Sequence, residues 1–213
     1  MANEAAIELD KIAATTVRVP IIGTSPLIVH NFSQKAKRQM LDSQQGKKKI
    51  KELRNPQAEY KGSLYYLDRG DGVERYGFPA AGFKKAMVGA VRFYGKSLKM
   101  TETRQFVFIH GEVTPADPQG LVEIEGEPSM REDIVRLSGI GRTADLRYRA
   151  QFTNWSATLG VTFVNSAFSL DSVVSLIGAA GLGVGVGEWR PEKNGDFGCF
   201  TIDADKEIVA VDD

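Results

Sequence analysis

Apolar positions along the chain fall into short runs of two different periods. Thr15 to Ile22 sets Val17, Val19 and Ile21 against Thr16, Arg18 and Pro20, which predicts a strand; Pro20 predicts an edge position or an early end to its ladder. After a turn at residues 23–26, Leu27 to His30 resumes an extended apolar run. Residues 31–61 carry few apolar anchors and predict a solvated, mobile insertion or a basic nucleic-acid contact, whereas Tyr60 to Tyr76 predicts a small hairpin. Phe78-Pro79 then opens a helix whose Phe83, Met87, Ala90, Val91 and Tyr94 share one side. Lys85, Arg92, Lys96 and Lys99 line the other. Phe106 to Ile109 and Leu121 to Ile124 read as strands, with a proline-containing loop over 114–120 between them. Ser156 to Val164 alternates cleanly, with Leu159, Val161 and Phe163 on one face and Thr158, Gly160 and Thr162 on the other. Ser169 caps a second helix closed by Gly181, and a last short strand follows Phe197. Strand, helix, strands, helix, strand is the βαββαβ plan, so the expected fold is α+β, a modified ferredoxin-like or RRM domain with long insertions. The whole of residues 1–213 is expected to form this single domain, with insertions over 31–77 (basic, partly mobile) and 126–152 (arginine-rich).

Composition changes this picture little until charge is mapped. The formal net charge is zero, which by itself argues against a strongly basic nucleic-acid binder. The charges are not evenly spread. Between Asn31 and Lys61 there are nine Lys or Arg against three acids, including Lys47, Lys48 and Lys49; between Lys84 and Arg104 there are six against one. Arg142, Arg147 and Arg149 add to a further basic stretch, while acids gather in the C-terminal tail. Balanced totals can thus conceal a polarised surface. No apolar run approaches the length of a bilayer span, and the acidic N-terminus does not read as a signal peptide. The single cysteine, Cys199, suits a reducing, cytoplasmic setting.

Several motifs fail on physical grounds. Ala90 to Ser97 matches a loose phosphate-loop pattern, yet it ends a helix and puts Arg92, Phe93 and Tyr94 where small residues must admit phosphate. Gly181 to Gly187 alternates its glycines and follows a helix, so it is not a dinucleotide fingerprint. With two histidines, His30 and His110, and no cluster of Cys, His and carboxylates at ligand spacing, neither a metal nor a cofactor is expected. His30 is the candidate if the chain cuts RNA by general acid–base chemistry; otherwise no catalytic residue is expected. Seven glycines between 178 and 198 surround Trp189, Arg190 and Lys193, which combines backbone amides, an aromatic ring and cations in one loop. Aromatic stacking beside cations is the usual chemistry of single-strand binding.

Three segments together resemble the RAMP superfamily of CRISPR-associated proteins, and within it the Cas7-like backbone branch. Phe78 to Arg92 is similar to the family's first helix, Val19 to Leu27 to its first strand and turn, and Gly185 to Arg190 with Gly195 to Gly198 to its glycine-rich loop. The resemblance implies an RRM-derived fold that binds single-stranded RNA, acts in antiviral defence in a prokaryotic or phage-infected cell, and polymerises as a homo-oligomer or filament along the strand, alone or beside other effector subunits. It implies strand contacts at Lys84, Lys85, Arg92, Gly185, Gly187 and Arg190, to which the residue chemistry adds Lys96, Trp189, Lys193, Arg142, Arg147, Arg149, Lys47, Lys48 and Lys49. Residues 128–151 would form a thumb. Family members that cut target RNA carry an Asp after the first strand, and Thr24 to Lys37 contains none. Two alternatives stay open: a metal-independent, Cas6-like endoribonuclease using His30, and a phage or plasmid relative that coats single-stranded DNA or interferes with CRISPR complexes. No membrane partner is expected.

Overall fold

The structure, a computed structural model, describes residues 9, 11–31, 41, 42, 44–46, 53–114, 117–136 and 144–211. The fold is assembled on β1 (Ala14–Gly23), which β10 (Ser156–Val164) flanks antiparallel from Ala14 opposite Val164 to Ile22 opposite Ser156. Along the other edge of β1 lie β11 (Phe200–Ile202), beside residues 21–23, and β12 (Val209–Val211), beside 16–18. Strand β5 (Val107–His110) closes the sheet beyond β10. Helix α2 (Ala80–Ala90) precedes β5, and α4 (Leu170–Gly183) joins β10 to β11. The spatial order β11-β1-β10-β5 places the fourth, first, third and second strands of a βαββαβ unit side by side. This is the ferredoxin-like plan, an α+β fold.

One face of the sheet is buried as its alternation requires. Val17, Val19 and Ile21 of β1 and Leu159, Val161 and Phe163 of β10 meet Phe83 and Met87 of α2 and Val173, Leu176 and Ile177 of α4 in one core. The side chain of Ser169 accepts from Ser172 N–H at 3.2 Å and caps α4 as expected, but the helix runs to Gly183 rather than ending at Gly181. Trp155 also belongs to this core: its Nε1 donates to the Ser25 carbonyl at 2.9 Å and its ring stands edge-on to Phe200.

The structure corrects some of these expectations and fills in others, among them the hairpin expected before Tyr76 and the form of the 126–152 insertion. Pro20 does not end the β1 ladder, and β1 is central. The Pro20 carbonyl accepts from Asp203 N–H, on the β11 side, and a strand residue's N and C=O point the same way. The missing N–H therefore faces the gap between β11 and β12, where no ladder bond is lost. The 53–66 part of the basic insertion is ordered. Asn55 Oδ1 caps α1 (Pro56–Ser63) by accepting from Ala58 N–H, and β3 (Tyr65–Tyr66) pairs with β4 (Tyr76–Pro79) as a hairpin. Residues 126–152 contain a regular hairpin, β8 (Pro128–Arg136) and β9 (Ala144–Phe152), with β9 also paired to β2 (Leu27–Val29). Helix α2 does not carry a continuous basic stripe. It stops at Ala90, continues as a 3-10 turn over Val91–Tyr94, and Gly95 at φ +59° turns the chain before α3 (Met100–Phe106). Lys96 and Lys99 therefore lie outside it, and Ala86 to Val91 is buried throughout. The remaining strands, β6 (Glu112–Thr114) and β7 (Asp117–Ile124), extend the β3-β4 pair into a small sheet, in place of the loop expected over 114–120.

Candidate functional site

The glycines after α4 serve the folding of their own loop. Gly185, Gly187 and Gly198 have φ of +70°, +77° and +67°, a region that L side chains enter at a cost. The loop is stitched to β2 and to itself: Glu188 N–H donates to the Ile28 carbonyl, Gly198 N–H to Pro26 and Val186 N–H to Gly198. A Cβ at Gly187 would strike the Ile28 carbonyl oxygen, and one at Gly198 the Val186 carbonyl oxygen. The amides of Gly185, Val186, Glu188, Gly195 and Gly198 are therefore engaged within the protein rather than offered to a ligand. Trp189 adopts φ +53°, which places a bulky residue in the left-handed region and presents its ring half-exposed at the surface.

Under this loop runs a chain of charges. Arg149 of β9 is fully buried; its Nη2 donates to Asp133 Oδ2 at 3.0 Å and its Nη1 to Glu188 Oε2 at 3.2 Å. Arg131 of β8 donates from Nε to Asp133 Oδ1 at 2.8 Å, and its guanidinium lies 4.7 Å from the Phe197 ring centroid and 5.8 Å from that of Trp189. At the other end of the chain, Glu188 Oε1 lies 3.6 Å from His30 Nδ1. Hydrogen bonding with the His30 imidazole, then the charges of His30, Arg149 and Arg147, holds the Glu188 carboxyl below the ordinary carboxylate range against the opposing effect of burial. The network ties the segment after β2, the glycine loop and the β8-β9 hairpin into one body.

A pocket of about 310 Å³ opens where α2, the loop and His30 meet. Phe78, Ala86, Val184 and Val186 give it apolar walls, while Lys85, Glu188, Arg190 and Glu192 supply charge. Arg190 and Glu192 neutralise each other: Arg190 Nε and Nη2 both donate to Glu192 Oε2, and Nη1 donates to the Gly187 carbonyl. Lys85 forms no ion pair among the described residues and is exposed.

Of the residues singled out from the sequence, the pocket brings together His30, Lys85, Gly185, Gly187 and Arg190. Trp189 and Lys193 lie on the exposed side of the same loop. Lys84 turns away, with its Nζ 4.8 Å from the ring centroid of Phe108 on β5. Arg92 and Lys96 are exposed beyond the end of α2, away from the pocket lining. Arg147 is half-buried on β9, whereas Arg149 is enclosed in its ion pairs and serves the loop's support. Lys47, Lys48, Lys49 and Arg142 lie outside the described residues. Sequence reading missed Glu188, Asp133, Arg131 and Phe197. For Arg131 and Asp133 the signal was their two-residue spacing, like that of Arg147 with Arg149, which a strand puts on one face. Among the described residues no group of His, Cys, Asp and Glu can hold a metal, and no helix is long and apolar enough to cross a membrane.

No family model matches the chain, and no curated protein matches it. Solved structures do match. One is Cmr6 from Pyrococcus furiosus, 11% identical, with a TM-score of 0.44 over 91% of this chain and 100% of that one.

Proposed function

We propose that this protein binds single-stranded nucleic acid, RNA in preference to DNA, without cutting it, as a Cas7-like subunit that repeats along the strand of a CRISPR-type ribonucleoprotein. The observation that carries this reading is the pocket itself. It joins Lys85 of the helix to the glycine loop, two of the three segments on which the family resemblance rests, and adds His30, three residues beyond the third. Lys193 and Arg147 flank it, and the half-exposed Trp189 ring, braced by Arg131 and Phe197, offers a stacking surface beside them. Arg149 is not among the proposed contacts because burial removes it from any ligand.

Electrostatic binding through Lys85, Arg147 and Lys193 releases counterions. Three phosphate contacts on a single strand lower affinity roughly 20-fold between about 50 and 200 mM salt. Fluorescence anisotropy with a mixed-sequence RNA measures this directly, and Lys85→Glu is expected to weaken binding and to flatten the slope. A wild-type curve that does not respond to salt would remove the reading.

One observation favours a second reading. His30, Glu188 and Lys85 line one pocket, and an imidazole beside a carboxylate and a cation is a plausible set for proton transfer and phosphate stabilisation in metal-independent RNA cleavage. Repeat RNA incubated in EDTA with the wild type and with His30→Ala separates the two. Cleavage by the wild type alone favours the endoribonuclease; intact RNA in both arms removes it.

A further inference from the structure

A carboxylate inside a groove meant for a polyanion needs a reason. Glu188 lines the pocket, keeps about two-fifths of its side chain exposed, and is held ionised between His30 and Arg149. Phosphate would be repelled there, while Lys85, on the helix side of the same pocket, attracts it. An ionised carboxylate only accepts hydrogen bonds. The second pocket carboxylate, Glu192, is paired with Arg190 through Oε2, while among the described residues each oxygen of Glu188 meets a single protein group, His30 or Arg149, and keeps a lone pair for a ligand. The remaining walls, Phe78, Val184, Val186 and Ala86, are apolar, and the volume of about 310 Å³ lies at the small end of ligand pockets, the scale of one nucleotide rather than a stretch of strand.

Among the four bases, guanine presents two adjacent donors, N1–H and N2–H₂, on one edge. Adenine and cytosine present an amino group beside an acceptor, and uracil a single N–H between two acceptors. The two oxygens of a carboxylate match the guanine edge and meet a lone pair on each of the other three. We propose that this pocket receives one guanine nucleotide, its base between the apolar walls with N1–H and N2–H₂ donating to Glu188, and its phosphate at Lys85. This rests on the nucleic-acid reading above and deepens it: the strand is held without regard to sequence along its length and is read for guanine at this one place. A free guanine nucleotide carries the same chemistry as one within a strand.

Isothermal titration with GMP, AMP, CMP and UMP, and anisotropy with oligonucleotides that contain or lack guanine, test the proposal. The expected preference for guanine is about tenfold or more, the discrimination of one good bidentate pair. Glu188→Gln keeps an oxygen for Arg149 but replaces one acceptor by a donor, and is expected to abolish the preference. Ala81→Leu, which narrows the pocket from α2 without touching a charge, is expected to do the same. Guanine preference with GMP alone identifies a free nucleotide as the ligand; preference with oligonucleotides identifies the strand. Equal binding of all four nucleotides together with equal binding of the oligonucleotides overturns the proposal, as does an undiminished preference in both variants. Salt-dependent RNA binding without base preference defeats the guanine site alone, whereas GMP binding without RNA binding defeats the strand reading alone.

Discussion

At the scale of single residues, the charges beneath the glycine loop are the most consequential feature. Arg149 is buried and shared between Asp133, itself nearly buried, and Glu188. Removing one partner of such a set leaves the others without compensation, which costs more than the set contributes when intact. Arg149→Ala is therefore expected to destabilise the fold by about 3 kcal/mol, measured by urea denaturation, and to loosen the loop whether or not a ligand is present. Glu188 gives a pH signature. Its carboxyl is depressed in the folded state, so its contribution is complete above the ordinary carboxylate range and fades as pH falls through the lower, folded value. Glu188→Gln should show a smaller loss of thermal stability on acidification than the wild type; parallel curves would show that the depression has no energetic weight. Arg190 has a different part. Its guanidinium is spent on Gly187 and Glu192, so Arg190→Ala should weaken strand binding by unpinning the loop, with little change in the number of released counterions.

At the scale of elements, two glycines a short distance apart have opposite expectations. Gly187 sits at φ +77° with the Ile28 carbonyl where a methyl group would go; Gly187→Ala should cost about 1–3 kcal/mol and undock the loop from β2. Gly178 lies within α4 with open space around its Cβ position, so Gly178→Ala should stabilise the helix by roughly 0.5–1 kcal/mol. Thermal melts of both variants check the pair. The elements themselves were unevenly legible. The β10 alternation and the Ser169 cap of α4 are local properties, and both are found where periodicity puts them. The α2 stripe was misread because its apolar period continues past Ala90, whereas burial between the sheet and α4 ends the amphipathic character before that point.

At the scale of the whole molecule, the sheet order assembles a site from segments far apart in the chain: His30 after β2, Lys85 on α2, Glu188 beyond α4. The β8-β9 hairpin is fastened to the same site through Asp133 and Arg149, so the pocket and the hairpin act as one body. On the proposed reading the protein is expected to form regular filaments on electron-microscope grids when a long single-stranded RNA is added and not otherwise. Single particles under saturating RNA would remove the backbone role while leaving nucleic-acid binding itself to the titrations.

The α+β class, the order of the strands and helices of the βαββαβ core and the residues on its buried faces follow from local pattern, because a two- or 3.6-residue period records which side of an element is apolar. The same pattern marks the segments that meet at the pocket. What each polar residue does there depends on partners distant in the chain. Arg149 and Arg147 are indistinguishable by type and spacing, yet one is enclosed and the other is not, because Glu188, thirty-nine positions further on, folds back over Arg149. Pro20 reads as a ladder breaker until β11 and β12 leave a gap opposite it. The Gly198 amide reads as exposed until the segment before β2 supplies the Pro26 carbonyl that takes it up. In each case the deciding partner lies outside the window in which local pattern carries information.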